Sequence, residues 1–348
     1  MLLRTKYRFN GYIHVKAIPG APDELLSRAG YLADRVSINL ELPTAQSLSK
    51  LAPNKSFKTI LEPMEKITGT IAANRLALGK EARMERSSIN RYLTGSIFNQ
   101  NGTDNGQAAL SGTQRTALES GDKLSLPAVS KDMCVKRPFA PAGQSTQMII
   151  GATPETDLTL IRTTQHLYKN YDLKRVFYSA YIPLNEDSAL PQLDADVPLL
   201  REHRLYQADW LLRFYGFQAD ELLSESRPNF NEQLDPKCDW AIRHLGQFPV
   251  EVQNASYDML LRIPGIGPKS ARRIVETRRY AKLDFDILKK IGVVLKRAHY
   301  FITCNGRMMY RIPIEESYIT SCLTDDNHKE NWEITHQNEK YHQLSLFE

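Results

Sequence analysis

The sequence predicts an α/β fold in which part of a parallel, TIM-like β/α barrel is followed by a small all-α domain. Two observations support this prediction. Four short strand-like runs are each followed by a helical pattern or a loop, at the spacing of a parallel sheet with crossover helices. Farther along the chain, short helical runs meet at a turn rich in proline and glycine. The four strand-like runs are residues 12–18, 36–42, 148–151 and 175–182.

The second of these runs alternates between apolar and polar residues. Its apolar residues are Val36, Ile38, Leu40 and Leu42, and its polar residues are Ser37, Asn39 and Glu41. In a barrel, the apolar face packs on helices and the polar face points inward, where active sites form at the carboxyl ends of the strands. An edge strand with one solvated face would show the same alternation.

Four strands are too few to close a parallel barrel. The first strand begins close to Met1 and would lack a partner on one side. We therefore expect further strands upstream of Met1. Residues 98–146 are rich in Ser, Thr, Gly and Asn and lack periodicity, which predicts a long loop or insertion. Residues 198–217 have the pattern of an amphipathic helix.

Composition indicates an ordinary globular protein of two domains, with 348 residues, 42% hydrophobic residues and a net charge of +5. The chain has no apolar run of the roughly 18 to 20 residues that span a bilayer, and no signal peptide, so we expect a cytoplasmic protein without a membrane partner. The spacing of the cysteines fits no metal or cluster site, so we predict free thiols and no metal site. The four cysteines are Cys134, Cys238, Cys304 and Cys322.

A turn between two short helices is the strongest local signal. The first helix begins near Ser256, a good N-cap, and stops at Pro264. Gly265 and Gly267 permit a tight turn and let the backbone approach a ligand closely. The second helix starts with Pro268 at its first position, where a missing N–H does no harm. The free N–H groups at its start predict an anion site.

This pattern resembles the helix-hairpin-helix motif, which holds a DNA phosphate through backbone amides without reading bases. Residues 283–292 look like a degenerate second copy, and the lysines beside them extend the basic face. A plain helical packing unit with solvated charges is the alternative. The predicted DNA-binding residues are Pro264, Gly265, Ile266, Gly267, Lys269, Ser270, Arg272 and Arg273.

A helix-hairpin-helix DNA glycosylase is a sharper alternative. Such enzymes resemble this chain in having a lysine two residues after the second glycine, as Lys269 is, and they need a downstream aspartate. Asp284 and Asp286 lie at about the right distance. The α/β elements that precede the hairpin argue against the all-helical glycosylase fold, so Lys269 is better interpreted as a phosphate contact. Loss of base release in Asp286→Asn would favour the glycosylase.

Four segments resemble the radical-SAM proteins of DNA modification or repair, which are often encoded beside a uracil-DNA-glycosylase-like protein. They are residues 12–20, 36–51, 139–147 and 150–157. The resemblance implies a partial (β/α)6 barrel that holds a [4Fe-4S] cluster and S-adenosylmethionine. It also implies a 5′-deoxyadenosyl radical that abstracts hydrogen from DNA or a DNA-linked substrate, and the glycosylase-like protein as a partner.

The functional residues of that family are carried over only in part. Its cluster rests on a C-x-x-x-C-x-x-C loop after the first strand, which this sequence lacks. Because the strands resemble the third to sixth of the family barrel, the cluster ligands would lie upstream of Met1. Glu155 departs by one position from the family pattern, and the catalytic residues stay unassigned. By resemblance, the cofactor-binding residues are Asn39, Glu41, Gln144, Ser145, Ile149 and Gly151.

The end of the chain is a polar stretch that finishes with a short apolar motif. Gln343, Leu344, Leu346 and Phe347 resemble the Gln-Leu-x-Leu-Phe motif that binds the bacterial sliding clamp. The glutamine would hydrogen-bond at the edge of the clamp pocket, and the last two apolar side chains would fill it. A tail that folds back on the barrel is the alternative.

The sequence thus predicts three segments: the C-terminal part of a radical-SAM barrel at 1–225, a helix-hairpin-helix domain at 226–315 and a flexible tail at 316–348. The favoured function is radical chemistry on DNA, if the missing cluster segment is supplied. A non-catalytic DNA-binding adaptor recruited to the sliding clamp is the alternative. An upstream reading frame that encodes the cysteine loop would separate the two.

Overall fold

The computed structural model describes residues 1–78, 126, 137–184 and 186–324. The chain divides into two compact units, Met1–Phe230 and Asn231–Glu348. We call them the sheet unit and the hairpin unit. Within the described ranges, no helix has the length and apolar character that crossing a bilayer requires.

A four-stranded parallel sheet forms the centre of the sheet unit, in the order β1-β2-β3-β4. This order follows the chain without a reversal, as in a β/α barrel, whereas a doubly wound sheet reverses its order at a switch point. Within the described residues the sheet is open. The strands are β1 (His14–Ala17), β2 (Arg35–Ile38), β3 (Gln144–Ile150) and β4 (Arg175–Ala180).

Helices pack against one face of this sheet. Gln144 of β3 donates from Nε2 to the carbonyl oxygen of Met64 and to that of Tyr171, each at 2.9 Å. On the same face, Tyr178 shares a hydrogen bond of 2.8 Å with Thr164. The helices of this unit are α1 (Leu2–Thr5), α2 (Asp23–Leu32), α3 (Ala45–Leu51), α4 (Phe57–Ala77), α5 (Asp157–Tyr171), α6 (Leu199–Phe214) and α7 (Ala219–Leu222).

Local sequence fixes where these helices start. Thr44, Ser56 and Thr156 are the N-caps of α3, α4 and α5, and each side chain accepts a hydrogen bond from the amide three residues later. The core lies between these helices and the apolar face of the sheet. Its strand residues are Val36, Ile38, Met148, Ile150, Val176 and Tyr178, all at most 2% exposed.

The parallel α/β arrangement is confirmed, and all four predicted strands need new bounds. The second strand stops at Ile38, and beyond it only Glu41 pairs, as an isolated bridge to Met148. The third strand starts at Gln144, so the last three residues of the segment predicted as a loop belong to β3. Most of that segment lies outside the described residues. The partial barrel stays a prediction.

The hairpin unit is built from short helices around a two-stranded parallel sheet of β5 (Val250–Glu251) and β6 (Ile302–Thr303). Asp235, Ser256 and Asp284 cap three of its helices through their side chains. Its helices are α8 (Pro236–Arg243), a 3-10 turn (Leu245–Gln247), α9 (Tyr257–Arg262), α10 (Pro268–Thr277), α11 (Phe285–Lys290), α12 (Leu295–Ala298) and α13 (Glu316–Thr324).

Candidate nucleic-acid interface

The turn between α9 and α10, which we call the first hairpin (residues 263–267), is shaped by its glycines. Ser256 accepts a hydrogen bond from the amide of Met259 and starts α9. The backbone then turns at Gly265, whose φ of +83° lies in the left-handed region that favours glycine. Gly267 is the N-cap of α10, and no side chain caps the amides of its first turn. The start of α10 is therefore open to an external anion.

Gly265 also lies against the turn between α11 and α12, which we call the second hairpin (residues 291–294). A Cβ on Gly265 would come within 2.5 Å of the carbonyl oxygen of Val294 and 3.3 Å of the Cβ of Ala298. Its own carbonyl accepts a 2.9 Å hydrogen bond from the amide of Val294. Only glycine permits this approach, so the residue sets how closely the two hairpins pack.

Hydrogen bonds donated by α10 to the second hairpin also hold the two hairpins together. Ser270 of α10 donates from Oγ to the carbonyl oxygen of Gly292 at 2.7 Å, and Arg273 donates to that of Ile291 at 3.0 Å. Gly292 has a φ of +94°, which matches the left-handed turn at Gly265. The second copy expected from the sequence therefore forms a hairpin of similar geometry, packed against the first.

Three consecutive carbonyl groups of the first hairpin have donors within the protein. The carbonyl of Gly265 accepts from Val294, that of Ile266 accepts from the ammonium of Lys237 at 2.6 Å, and that of Gly267 accepts from the amide of Ala271 at 2.8 Å. Because these acceptors are satisfied internally, the open backbone groups at the start of α10 are N–H donors. A surface of donors beside a helix N-terminus selects anions.

Residues 250–277 match the helix-hairpin-helix motif. The match covers β5, α9, the first hairpin and α10, and it confirms that part of the sequence prediction. No curated protein and no solved structure matches the chain. The second hairpin lies outside the matched residues, so its assignment depends on the geometry above.

Exposed basic side chains surround the open end of α10. Lys269, Arg272 and Arg273 are exposed, and Lys289 and Lys290 are exposed at the end of α11. Arg272 has Glu276 at 3.6 Å, but both side chains are half exposed, where water and salt screen such a pair. The positive potential expected at a helix N-terminus is thus reinforced by side chains.

The structure divides the eight predicted DNA-binding residues into three groups. Pro264, Ile266 and Ser270 are buried, and Ser270 bridges the two hairpins, so these three hold the hairpin in shape. Gly265 and Gly267 are partly exposed backbone positions. The exposed side chains of that set are Lys269, Arg272 and Arg273.

The glycosylase alternative depended on Asp284 or Asp286. Asp284 is the N-cap of α11, and its carboxylate accepts a 2.7 Å hydrogen bond from the amide of Ile287. This contact gives Asp284 a structural role at the start of that helix. Asp286 lies in the first turn of α11, where a negative charge stabilises a helix.

Lys237 is a functional candidate that the sequence analysis missed. Its ammonium is buried beneath the first hairpin and holds the carbonyl of Ile266. Burial lowers its pKa to about 7 from the ordinary 10.5, an effect that the nearby carboxylate of Asp235 partly offsets. No motif marks this position, because the contact joins residues 29 apart in sequence.

In the sheet unit, four of the residues assigned by the radical-SAM resemblance lie toward the carboxyl ends of the strands. Asn39 and Ile149 are partly exposed. Glu41 has a φ of +68° and pairs with Lys55 at 3.2 Å. Gly151 has a φ of +85°, and a Cβ there would come within 2.7 Å of Pro198. Gly151 is therefore a site of close packing.

Glu155, next to these residues, ties two loops together. Its carboxylate accepts a 2.9 Å hydrogen bond from the hydroxyl of Thr44. Burial opposes ionisation, but hydrogen bonds from Ser47, Thr153 and Thr44 lower its pKa overall. The hydrogen bonds of this carboxylate therefore go to the loops that follow β2 and β3.

The remaining two assigned residues do not share one face. Gln144 points to the helix side, where its amide donates to α4 and to Tyr171. Ser145 follows it and points to the opposite face. Both lie at the start of β3, at the other end of the strand from Ile149. The structure therefore does not bring Gln144 to the end of the sheet where Asn39 and Glu41 lie.

The described cysteines do not fit an iron–sulfur cluster. Cys238 and Cys304 are buried, and burial raises the pKa of both thiols, that of Cys304 to about 12. Cys322 is free and exposed, and Cys134 lies outside the described residues. Across the described ranges, no three His, Cys, Asp or Glu residues are grouped so that they could hold a metal ion.

The clamp-binding residues Gln343, Leu344, Leu346 and Phe347 lie outside the described residues. The segment predicted as a flexible tail begins in the structure with α13 (Glu316–Thr324). This helix carries one buried residue, Ile319, and contacts α8. The first nine residues of that segment are therefore helical.

We predict that Gly265→Ala destabilises the hairpin unit by about 1–3 kcal/mol more than Gly306→Ala. Both glycines have positive φ, so both variants bear the conformational cost of about 1–2 kcal/mol. Only at Gly265 does the added methyl group also meet backbone, since nothing lies within 4 Å of a Cβ at Gly306. Hydrogen exchange of the α9 and α10 amides measures the difference, and equal losses would refute the close approach.

We predict that the hairpin unit gains stability as pH rises from 7 to 8.5. Between the folded pKa of Lys237, about 7, and its unfolded value of 10.5, the unfolded chain holds a proton that the folded chain releases. Urea denaturation at both pH values measures this slope. Lys237→Met should flatten it, while Lys282→Met, at an exposed position, should retain it. A slope that survives in Lys237→Met would contradict the assignment.

Proposed function

We propose that this chain binds DNA through its phosphate backbone, with the paired hairpins as the contact surface. The observation that supports this most directly is the uncapped start of α10, where Gly267 leaves the first-turn amides free. The carbonyls of Gly265, Ile266 and Gly267 have internal donors, so the site offers N–H groups and exposed cations to a ligand. Contacts of this kind position a protein on DNA and carry little sequence preference.

A side-chain cap tests this proposal, because it should move stability and binding in opposite directions. Gly267 has the extended backbone of an ordinary N-cap residue. In Gly267→Asp, the new carboxylate accepts from the free amides, so the hairpin unit should be as stable as before or more stable. The same carboxylate occupies the phosphate position and repels DNA. We expect duplex affinity to fall at least tenfold in fluorescence anisotropy, and unchanged affinity would refute the site.

Salt dependence provides the matched control. Lys269→Gln removes one exposed cation beside the hairpin, so binding should weaken equally on unrelated sequences and the slope of log affinity against log salt should fall by about 1. Lys50→Gln removes an exposed lysine of the sheet unit and should leave the slope unchanged. A protein with no salt-sensitive affinity for any oligonucleotide would contradict the proposal.

For the sheet unit, the resemblance favours an S-adenosylmethionine enzyme acting on DNA. The sequential parallel order and the helices on one face support a barrel segment, and Asn39 and Glu41 lie near its carboxyl edge. When bound, the cofactor would supply the radical that abstracts hydrogen. Because the described cysteines do not fit the cluster that this chemistry needs, no radical step is assigned to residues of this chain.

The C-terminal motif favours a second function, recruitment to a sliding clamp. Gln343, Leu346 and Phe347 provide the hydrogen-bonding and apolar groups of such a motif. Together with DNA-binding hairpins, the tail would make the chain an adaptor that needs no chemistry of its own. We expect a bacterial clamp to be retained by the wild-type chain and released by the Leu346→Ala, Phe347→Ala double variant. Equal retention by both proteins would end this proposal.

A further inference from the structure

Four side chains form a row across the sheet, one from each strand. The register pairs Lys16 of β1 with Ser37 of β2, Ser37 with Ser145 of β3, and Ser145 with Arg175 of β4. Since alternate residues of a strand point to opposite faces, these four share the face that is opposite to Gln144 and the helices. We call them the cationic row.

The two serines at the centre of the row are buried without hydrogen-bond partners. Ser37 is 2% exposed and Ser145 is 0% exposed. Neither hydroxyl oxygen has a hydrogen-bond partner among the described residues. Buried hydroxyl groups are hydrogen-bonded in the great majority of proteins, because an unpaired one costs free energy. Two adjacent hydroxyls without protein partners on one face can therefore both donate to one bound ligand.

Three basic residues flank these serines on the same face of the sheet. Arg35 lies two residues before Ser37 and so on the same face, and its Nε is also buried without a partner. Lys16 contacts the neutral amide of Gln147 at 3.4 Å, and Arg175 lies over the ring of Phe177 at 4.8 Å. Within the described part of the chain, none of these three cations forms an ion pair with a carboxylate.

The pKa of His14 responds to the same positive charges. His14 pairs with Arg35 in the register of β1 and β2, so it lies at one corner of the cluster. Its pKa is lowered by burial first, and then by the charges of Arg35 and Lys16. Like charges this close repel one another, and an anion among them would turn that repulsion into attraction.

We propose that the cationic row, together with Arg35, binds a phosphate group. Neighbouring strands lie about 4.8 Å apart, so the hydroxyls of Ser37 and Ser145 can reach two oxygens of one tetrahedral anion with hydrogen bonds of about 2.7 Å. Three cations carry more positive charge than one singly charged carboxylate would neutralise, which favours a phosphate. The phosphate belongs either to a free nucleotide or to a DNA strand.

This site is separate from the others in the chain. Its central hydroxyls belong to Ser37, the third residue of β2, and to Ser145, the second residue of β3, whereas Asn39 and Glu41 follow the end of β2. The proposal goes beyond DNA binding by the hairpins and does not depend on it. Gly267→Asp, which blocks only the hairpin site, should therefore leave phosphate binding by the sheet unit unchanged.

Calorimetric titration of the full chain tests the site, with inorganic phosphate, deoxyadenosine monophosphate and a single-stranded oligonucleotide as probes. For at least one probe, we expect Ser37→Ala, Ser145→Ala to weaken binding at least tenfold in the Gly267→Asp background. In chloride the double variant should be no less stable than the parent, because the hydroxyls it loses are unpaired. Saturation by the mononucleotide would identify a free nucleotide, and binding of the oligonucleotide alone would identify DNA.

Two lysine variants that remove the same charge at different places distinguish loss of binding from a folding defect. Lys16 is exposed at the edge strand, so Lys16→Gln should fold normally and weaken binding of the same probe at least threefold. Lys50→Gln, on α3, should bind as the parent does. Absence of heat with all three probes would overturn the proposal. Equal affinity of the parent and the double serine variant would overturn it as well.

Discussion

The close contact between the two hairpins at Gly265 is the constraint on which the hairpin unit depends. A backbone carbonyl of the partner lies where a side chain would begin, so the first hairpin keeps its shape only without one. In that contact the carbonyl of Gly265 accepts a hydrogen bond from the partner hairpin. The next carbonyl, that of Ile266, accepts one from the buried ammonium of Lys237. The acceptors therefore point into the unit, and the donors at the start of α10 stay available. Anion selectivity follows from packing before any charged side chain is counted.

The sheet unit reaches a related result by different means. Its helices cover one face, and buried aliphatic side chains such as Ile38 and Met148 fill the space between. The other face carries hydroxyl and cationic groups, although Ser37 and Ser145 are as buried as any core residue. Because the described helices pack on the first face, the hydroxyl and cationic groups of the second face can be devoted to a ligand.

Sequence reasoning succeeded where one short segment determines the structure. The hairpin was predictable because Gly265, Gly267 and Pro268 each have a local backbone role. The parallel strands were predictable from alternation in residues 36–42, although tertiary pairing moved their ends by several residues. Contacts between distant segments were out of reach, among them Lys237 beneath the hairpin. Gln144 was assigned to a mouth it does not line, because strand pairing decides which face a residue takes.

The distribution of charge matters more than its sum. A net charge of +5 says little about function, but most buried or half-buried aspartates of each unit pair with an adjacent arginine. Such pairs join Asp34 to Arg4, Asp157 to Arg201, Asp172 to Arg75, Asp209 to Arg213 and Asp239 to Arg243. Lys16, Arg35 and Lys269 have no such partner among the described residues. Because arginines neutralise most of these internal acids, unpaired positive charge remains at the cationic row and at the first hairpin. A bound phosphate would balance it there.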